Sequence, residues 1–213
     1  MMPIRFTPET CRSATRMLAR RDPALARLIR VHGPCTLGTR IRRDSFAALV
    51  RAIVYQQLST GAATTIYTRV LATMDARVCP RPATWLCTPE ERLRAAGLST
   101  QKTRYILDLC RHVSDGSLET RRLHRMADED VIATLTQVKG IGRWTAEMFL
   151  MFHLQRPDVL PLGDLGVVTG FAKVYGNGTK FTAAEMTAHA EAWRPYRSIG
   201  SWYMWRALET PDA

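Results

Sequence analysis

The sequence predicts an all-α protein, and three observations favour this class. Apolar residues recur at spacings of three and four along most of the chain, as they do on one face of a helix. Capping residues and glycines stand at the ends of these periodic segments. We find no convincing alternation of apolar and polar residues of the kind that a half-buried strand shows. With 213 residues, of which 46% are hydrophobic, the chain suits one domain with a sizeable core, and we count about ten helices.

The first strongly periodic segment begins near residue 45, with Ser45 as the expected N-cap. Its apolar residues fall at i, i+3, i+4, i+7 and i+8, which is one helical face: Phe46, Leu49, Val50, Ile53 and Val54. Gln56 and Gln57 interrupt this stripe. Ser59 then caps a second helix, which we expect to run to about Met74.

Two helices are expected in the middle of the chain. Residues 88–91, Thr-Pro-Glu-Glu, have the pattern of a capping box with Pro89 at the first helical position, and Gly97 ends this short helix. Ser99 starts the next helix, and Gly116 follows its end. One face of this helix carries the apolar residues Ile106, Leu109, Cys110 and Val113.

Five further helices are expected after residue 116, each bounded by capping residues, glycines or prolines. The second-last of them opens with another capping box, formed by Thr182 and Glu185. The expected limits are Asp128 to Val138, Gly142 to Pro157, Asp164 to Gly176, Thr182 to Pro195, and Ser198 to Leu208.

The charge balance points to a polyanionic partner. Thirty Lys and Arg residues against nineteen Asp and Glu residues give a formal net charge of +11. Arginine dominates this excess, and its planar fork of donors matches phosphate oxygens. The alternative is a compositional bias of the genome toward arginine. Nucleic acid is the partner that the charge favours.

Cysteine usage and hydropathy indicate a cytoplasmic protein. The five cysteines form no C-x-x-C pair, and none lies beyond Cys110. A disulfide scaffold or a zinc site is therefore poorly supported, and buried reduced thiols are expected. No apolar run is long enough to cross a membrane, and the N-terminus lacks a signal-peptide core.

The most informative stretch is the hairpin pattern at residues 138–146, where two glycines separate two predicted helices. Gly140 and Gly142 allow backbone angles that a side chain would forbid, and they let a partner approach the main chain. Ile141 between them can anchor the turn in the core. The second helix presents its N-terminal N–H groups, which bind a phosphate without reading sequence. The alternative is an ordinary helix connection with a glycine cap.

A carboxylate follows the second glycine by 22 residues, in the segment Leu160-Pro161-Leu162-Gly163-Asp164-Leu165-Gly166. Asp164 stands where a helix is expected to begin. Taken alone, it would be interpreted as a stabilising N-cap.

Together these features resemble the helix-hairpin-helix DNA glycosylase superfamily, and most closely its AlkA-like 3-methyladenine DNA glycosylase II group. The resemblance extends from about residue 45 to residue 208. It is carried by the hairpin and by four further segments: Arg51–Ser59, Gly163–Gly166, Trp193–Ser198 and Trp205. It implies double-stranded DNA with alkylated bases as the substrate. We expect a monomer, because one cleft handles one lesion, and no membrane partner.

The resemblance also implies an architecture of two helical lobes with a cleft between them. Residues 1–213 would form a single glycosylase domain. One lobe would span about 45–155, and the other would combine about 1–44 with 156–213. The N-terminal β-domain of some relatives is not expected, since only about 40 residues precede the first matching helix.

By the same resemblance, the damaged nucleotide is flipped out of the duplex and a side chain fills the gap. The family places this wedge near residues 56–59, where Gln57 and Leu58 are both candidates. Asp164 would face the deoxyribose and stabilise the positive charge that grows on the sugar. Only one good carboxylate is found, whereas most glycosidases need two. A base already made cationic by alkylation can leave without an acid, so alkylated bases are favoured.

Three aromatic or flexible positions are expected to line the base pocket. Related enzymes that also cut the strand carry a lysine nucleophile where this chain has Trp144, so lyase activity is not expected. Trp144 and Trp205 would stack on a cationic base, unless they simply pack in the core. Met148 stands where some relatives carry an aromatic ring, which leaves the base preference open.

The hairpin residues expected to contact phosphate are Gly140, Ile141, Gly142, Arg143 and Thr145. Hairpin carbonyls can also hold a monovalent cation when DNA is bound. No catalytic metal and no cofactor are expected, and the five histidines form no ligand spacing. The four C-terminal cysteines that relatives use for an iron–sulfur cluster are missing, which disfavours endonuclease III-like and adenine-mismatch enzymes. Two alternatives stay open: a glycosylase for oxidised or mismatched bases, and a non-enzymatic helix-hairpin-helix module that only binds DNA.

Overall fold

The computed structural model describes residues 6–38, 44–176 and 178–209. Within these ranges all regular secondary structure is helical, which confirms the predicted all-α class. The described residues form twelve α-helices: α1 Pro8–Arg21, α2 Pro23–His32, α3 Ser45–Tyr55, α4 Thr60–Ala72, α5 Pro82–Cys87, α6 Glu90–Ala95, α7 Thr100–Ser114, α8 Asp128–Leu135, α9 Arg143–Phe152, α10 Leu165–Tyr175, α11 Ala183–Ala190 and α12 Arg197–Ala207. Two short 3-10 helices cover Leu123–Arg125 and Glu191–Trp193.

The chain divides into two compact units. The first consists of Met1–Ile41 and Leu150–Ala213, and the second of Arg42–Phe149. The second unit thus holds α3 to α8 and most of α9, whereas the first holds α1, α2 and α10 to α12. The expected lobe range 1–44 includes residues 1–5 and 39–43, which lie outside the described residues.

The core of the second unit forms around α3, which packs against α4 and α7. All five residues of the predicted α3 stripe are buried, and the same holds for Ile106, Leu109 and Cys110 of α7. Trp85 on α5 is fully buried against α7. The helical spacing of apolar residues therefore located the core of this unit directly.

The core of the first unit forms around α12, which packs against α1, α2 and α10. The backbones of α10 and α12 approach closely at Gly170, where an added Cβ would overlap the carbonyl of Met204. Trp193 and Tyr203 are fully buried in this unit.

A buried carboxylate ties the first unit together at the junction of α1 and α2. Asp22 is 5% exposed, and its Oδ1 accepts hydrogen bonds from the N–H groups that begin α2. Its Oδ2 accepts from Tyr175 Oη at 2.7 Å, from Trp193 Nε1 at 2.9 Å and pairs with His189 Nε2 at 3.2 Å. One side chain thus joins α2, α10, α11 and the second 3-10 helix.

Several predicted helix starts are confirmed by their capping hydrogen bonds. Ser59, Ser99 and Asp164 each accept from the third residue of the following helix. Thr182 and Glu185 form the predicted capping box.

Four predicted starts are wrong. Asp44, not Ser45, caps α3, since its carboxylate reaches Ala47 N. Asp128 is the first residue of α8 rather than its cap, and its negative charge still interacts favourably with the positive N-terminal end of the helix dipole. Thr88 forms no capping box because its hydroxyl donates to Thr84 O in the preceding helix. Ser198 is the second residue of α12, and its hydroxyl bonds to Arg156 O outside that helix instead of capping it.

Candidate active site

The hairpin of the second unit connects α8 to α9. Gly140 has φ +83°, and an added Cβ would overlap the ring of Tyr105, so both the backbone angle and the packing require glycine. Gly142 has no positive φ, and nothing lies within 4 Å of its would-be Cβ. The prediction that Gly142 relieves backbone strain is therefore wrong. Its lack of a side chain leaves the start of α9 open to a partner.

Two buried side chains and a carboxylate hold the hairpin from the interior of the second unit. Val138 and Ile141 are 2% and 3% exposed, so Ile141 anchors the turn as the sequence suggested. Asp108 of α7 accepts the N–H of Lys139 at 2.9 Å and lies 3.8 Å from its ammonium. The N-terminal N–H groups of α9 are thus presented by a turn that is held from within the unit.

The charged side chain at the start of α9 already has acidic partners. Arg143 donates to both carboxylate oxygens of Glu129, at 2.8 and 3.1 Å, and to Glu147 Oε1 at 3.0 Å. Its hydrogen bonds with Glu129 and the charge of Glu147 raise the pKa of Arg143 further. Because Thr145 is 7% exposed, the main chain of the hairpin, rather than these two side chains, is best placed to contact a phosphate.

The turn between α3 and α4 carries the two wedge candidates. Gln56 has φ −53° and ψ 131°, Gln57 has φ 57°, and Leu58 N donates to Tyr55 O at 3.3 Å. These values describe a type II β-turn, whose third position normally carries glycine or asparagine. A glutamine there is strained, and such strain tends to occur at functional loops. Gln57 and Leu58 are both exposed, Leu58 to 38%.

The structure brings this turn and the hairpin together. Gln56 Nε2 donates to Gly140 O at 2.9 Å and lies 3.5 Å from Thr145 Oγ1. Lys102 of α7 donates to Val54 O at 2.7 Å and to Gln56 O at 2.6 Å. No local pattern predicts these links, because in the sequence Gln56 only interrupts an apolar stripe and its partners lie far along the chain.

In the first unit, Asp164 is the N-cap of α10 and is 8% exposed. Its Oδ1 accepts from Val167 N at 2.8 Å and from Trp205 Nε1 at 2.7 Å. An added Cβ on Gly166 would lie 2.7 Å from Trp205 Cδ1, so a glycine at this position lets the indole reach the carboxylate. Two candidate site residues, Asp164 and Trp205, are therefore in direct contact.

The loop that leads to Asp164 is held at its other end by the beginning of α12. Ser198 Oγ donates to Arg156 O at 2.7 Å and accepts from Val159 N at 2.9 Å. Arg197 donates through Nε to Asp158 Oδ1 at 2.8 Å and through Nη2 to Asp158 O at 2.9 Å. Since Trp205 lies two turns further along α12, one helix holds both ends of the loop.

One aromatic residue near Trp205 was missed by the sequence analysis. Phe152 stacks on Trp205 with ring centroids 5.7 Å apart and an interplanar angle of 19°, and it is 49% exposed. Phe152, Met148 and Trp144 are spaced by four along α9, which puts them on one helical face. Trp144 is 46% exposed and Met148 half-buried. The spacing of four could have identified Phe152.

No metal or membrane feature accompanies these residues. Among the described residues, no three His, Cys, Asp or Glu side chains come together as metal ligands. Over the same part of the chain, no helix has both the length and the apolar character needed to cross a bilayer.

Comparison with known proteins gives consistent matches. DNA-3-methyladenine glycosylase 1 of Schizosaccharomyces pombe is 31% identical over 172 residues, which cover 80% of this chain and 75% of that protein. The crystal structure of a DNA-3-methyladenine glycosidase from Bacillus halodurans aligns with a TM-score of 0.82 and 37% identity, over 99% of this chain and 94% of that one. The structure of a Schizosaccharomyces pombe 3-methyladenine DNA glycosylase in complex with abasic DNA aligns with a TM-score of 0.79 and 30% identity, over 94% and 98%.

A family model described as HhH-GPD superfamily base excision DNA repair protein matches residues 50–195. This match covers more than half of the chain, and it includes the turn after α3, the hairpin and Asp164. The chain therefore belongs to the HhH-GPD superfamily of base excision DNA repair proteins.

Proposed function

We propose that the protein is a monofunctional DNA N-glycosylase that excises alkylated bases of the 3-methyladenine type by hydrolysis. The observation that carries the proposal is the buried carboxylate of Asp164, oriented by Trp205 at the start of α10. Membership of the HhH-GPD superfamily and the names of the similar proteins support the same reaction and the same class of base. DNA is the partner, which the net charge of +11 also favours.

In this mechanism the carboxylate acts on the sugar. As the bond between base and deoxyribose breaks, positive charge develops on the sugar, and a carboxylate beside it stabilises that charge. Asp164 also orients or deprotonates the attacking water. Its hydrogen bond from Trp205 fixes the carboxylate before the reaction, so little reorganisation is needed when the charge appears.

The leaving base needs no acid in this proposal. Glycosidases that expel a neutral alcohol use a second carboxyl group to protonate it. Alkylation at a ring nitrogen makes the base cationic, and a cationic base leaves as a neutral molecule. Trp144, Met148 and Trp205 are the proposed pocket residues, and the indole rings of Trp144 and Trp205 attract a cation.

The DNA backbone would be held by the main chain of the hairpin at Gly140 to Thr145, and the duplex opened by the turn at Gln57 and Leu58. Extrusion of a base costs a few kcal/mol, least for a damaged base. A side chain in the gap stabilises the flipped state. We propose that the uncut abasic strand is the product, because Trp144 stands where a strand-cleaving relative would carry a lysine.

Base release from methylated duplex DNA tests the proposal. Wild-type protein and Asp164→Asn are compared for free base, for strand cleavage and for DNA binding. We expect the wild type to release methylated base and leave an uncut abasic strand, and the variant to bind DNA without releasing base. A wild type that binds DNA with strong salt dependence but releases no base would favour the non-enzymatic module instead.

Release of a neutral oxidised base, without release of methylated bases, would favour a glycosylase for oxidised or mismatched bases. Parallel digests of oxidised and mismatched duplexes therefore belong in the same experiment. Separate duplexes carrying 3-methyladenine, 7-methylguanine, 1-methyladenine, 3-methylcytosine or ethenoadenine would define the base preference. Each duplex is also tested as a single strand.

A further inference from the structure

The turn at Gln57 has a conformation that its own sequence does not favour. Gln57 adopts φ 57°, whereas a type II turn normally has glycine at this position. A positive φ in a residue with a side chain is unfavourable and persists only where surrounding contacts impose it. The contacts that hold the backbone of Gln56, the residue immediately before Gln57, can impose this angle.

Lys102 supplies the first of these contacts. Its ammonium donates to Val54 O, in the last turn of α3, at 2.7 Å and to Gln56 O, in the β-turn that follows, at 2.6 Å. A cation at the C-terminal end of a helix is favoured by the helix dipole, and hydrogen bonds from a charged donor are stronger than neutral ones. Lys102 is half-buried, and burial lowers the pKa of its ammonium.

The side chain of Gln56 supplies the second contact. Its amide donates to Gly140 O at 2.9 Å, and Gly140 is the one hairpin glycine with a positive φ. The backbone of Gln56 is thus held by Lys102 while its side chain is bound to the hairpin. The exposed tip, Gln57 and Leu58, projects from a segment that is fixed on both sides.

We propose that Lys102 and Gln56 are positioning residues that keep the Gln57–Leu58 tip at a fixed distance from the phosphate-binding hairpin. Binding of the DNA backbone by the hairpin and insertion of the tip into the duplex then occur together. This inference rests on the proposed function, since it assigns the tip to base extrusion and the hairpin to phosphate. Neither residue touches the reacting atoms.

The test uses Lys102→Met and Gln56→Ala in the full chain. Arg104→Met is the matched control, because Arg104 is exposed on the same helix and its loss removes the same charge. Tip insertion is measured on a duplex that contains a tetrahydrofuran abasic analogue, with 2-aminopurine opposite the gap. This fluorescence signal needs no base excision, so it can be read even if the proposed reaction fails.

We expect wild type and Arg104→Met to give the same fluorescence change at saturating protein. Lys102→Met and Gln56→Ala should shift the insertion equilibrium by about tenfold or more, because charge-assisted or buried hydrogen bonds are lost. Overall DNA affinity should change by only a few-fold, since the hairpin remains. An unchanged fluorescence signal in both variants would overturn the inference.

Single-turnover excision provides the second measurement. With an alkylated base in a fully paired duplex, we expect both variants to be about tenfold slower or more at saturating enzyme. The defect should shrink to a few-fold when the same base lies in a bubble of mismatches, because extrusion is then easier. A loss of equal size on both substrates would indicate a general structural defect and contradict the positioning role.

A double-mutant comparison closes the test. With Gln57 and Leu58 both replaced by alanine, the further change of Lys102→Met should cost little, since the two act through the same tip. Additive losses would contradict the inference. If Lys102→Met fails to fold, Gln56→Ala decides the same comparison, because it removes a neutral donor to a single carbonyl rather than a cation that holds two. If wild type shows tip insertion without base release, the proposed function fails and the positioning role stands.

Discussion

Trp205 donates its indole N–H to Oδ1 of Asp164 at 2.7 Å, and the same oxygen caps α10 through Val167 N at 2.8 Å. One carboxylate oxygen therefore caps the helix and also accepts the hydrogen bond that orients the Asp164 carboxylate. A cap aspartate and a catalytic aspartate are usually treated as alternative interpretations. At this position the cap fixes the carboxylate for the chemistry that we propose.

These two roles can be separated by two substitutions at residue 164. Asp164→Asn keeps an oxygen that can accept from Val167 N, so the free energy of unfolding should change little. Asp164→Ala loses the cap and should be less stable by about 1 kcal/mol. Both variants should excise alkylated bases at least about 100-fold more slowly than wild type, because the negative charge is gone. Urea unfolding and single-turnover excision measure the two effects, and an Asn variant within tenfold of wild-type activity would contradict the catalytic role.

Trp205→Phe tests the orienting bond. Phenylalanine keeps a ring that can stack on Phe152 but removes the donor to Asp164. We expect excision to slow by about tenfold or more, since a hydrogen bond to a charged acceptor contributes about 1.5–3 kcal/mol. Trp202→Phe on the same helix is the control, and it should leave the rate near that of wild type. Equal rates for the two variants would show that the indole N–H has no orienting role.

The buried hydroxyl of Ser198 gives a prediction on stability. Ser198→Ala leaves Val159 N and Arg156 O without the partner they share, and this should destabilise the protein by about 1–3 kcal/mol. Ser201→Ala is the matched control, because Ser201 is equally buried on α12 but its hydroxyl bonds only to the carbonyl of Arg197, one turn earlier. The control should lose less than about 1 kcal/mol. Chemical denaturation compares the two, and a control that is as costly as Ser198→Ala would argue against the loop contacts.

Asp22 gives a prediction on pH dependence. Burial alone would raise its pKa, but hydrogen bonds from Tyr175, Trp193, Leu25 and His189 together lower the pKa below its ordinary value of 3.8. A lowered folded-state pKa means that the stabilisation is present above the unfolded pKa and is lost as the pH falls through the folded one. Asp22→Asn should therefore be less stable than wild type at pH 7, and the difference should shrink below about pH 4. Urea unfolding at a series of pH values measures this difference, and a constant gap down to pH 2 would contradict the assignment.

Local signals explain which helix starts could be predicted. Ser59, Ser99 and Thr182 bond to an N–H three residues ahead, so the whole interaction lies within a few letters of sequence. Asp44 and Ser45 are both capable caps and adjacent, and the pattern alone could not rank them. Ser198 looked like a cap, but its partners lie about forty residues earlier in the chain, where a local pattern cannot reach.

The candidate site shows the same division. The hairpin glycines and Asp164 were found from spacing and resemblance, because both features are short and contiguous. The bond between Asp164 and Trp205 joins residues 41 positions apart, and the bond between Gln56 and Gly140 joins residues 84 apart. Such contacts depend on how helices pack, and a single sequence carries no measure of that. Phe152 differs, since its spacing of four from Met148 was visible.

The exposed indole of Trp144 gives a last prediction, on the class of base. Trp144 is 46% exposed, so Trp144→Leu should fold with little loss of stability. An indole over a desolvated cation contributes about 2 kcal/mol or more, and the attraction vanishes for a neutral base. We therefore expect excision of 7-methylguanine to slow by about tenfold or more, whereas excision of neutral hypoxanthine, if the wild type releases it, should slow less. If the wild type does not release hypoxanthine, the loss of 7-methylguanine excision in Trp144→Leu is compared with the loss of abasic-DNA binding in the same variant. Equal losses on the charged and neutral substrates, or on excision and abasic binding, would assign Trp144 to general packing rather than to recognition of a cation.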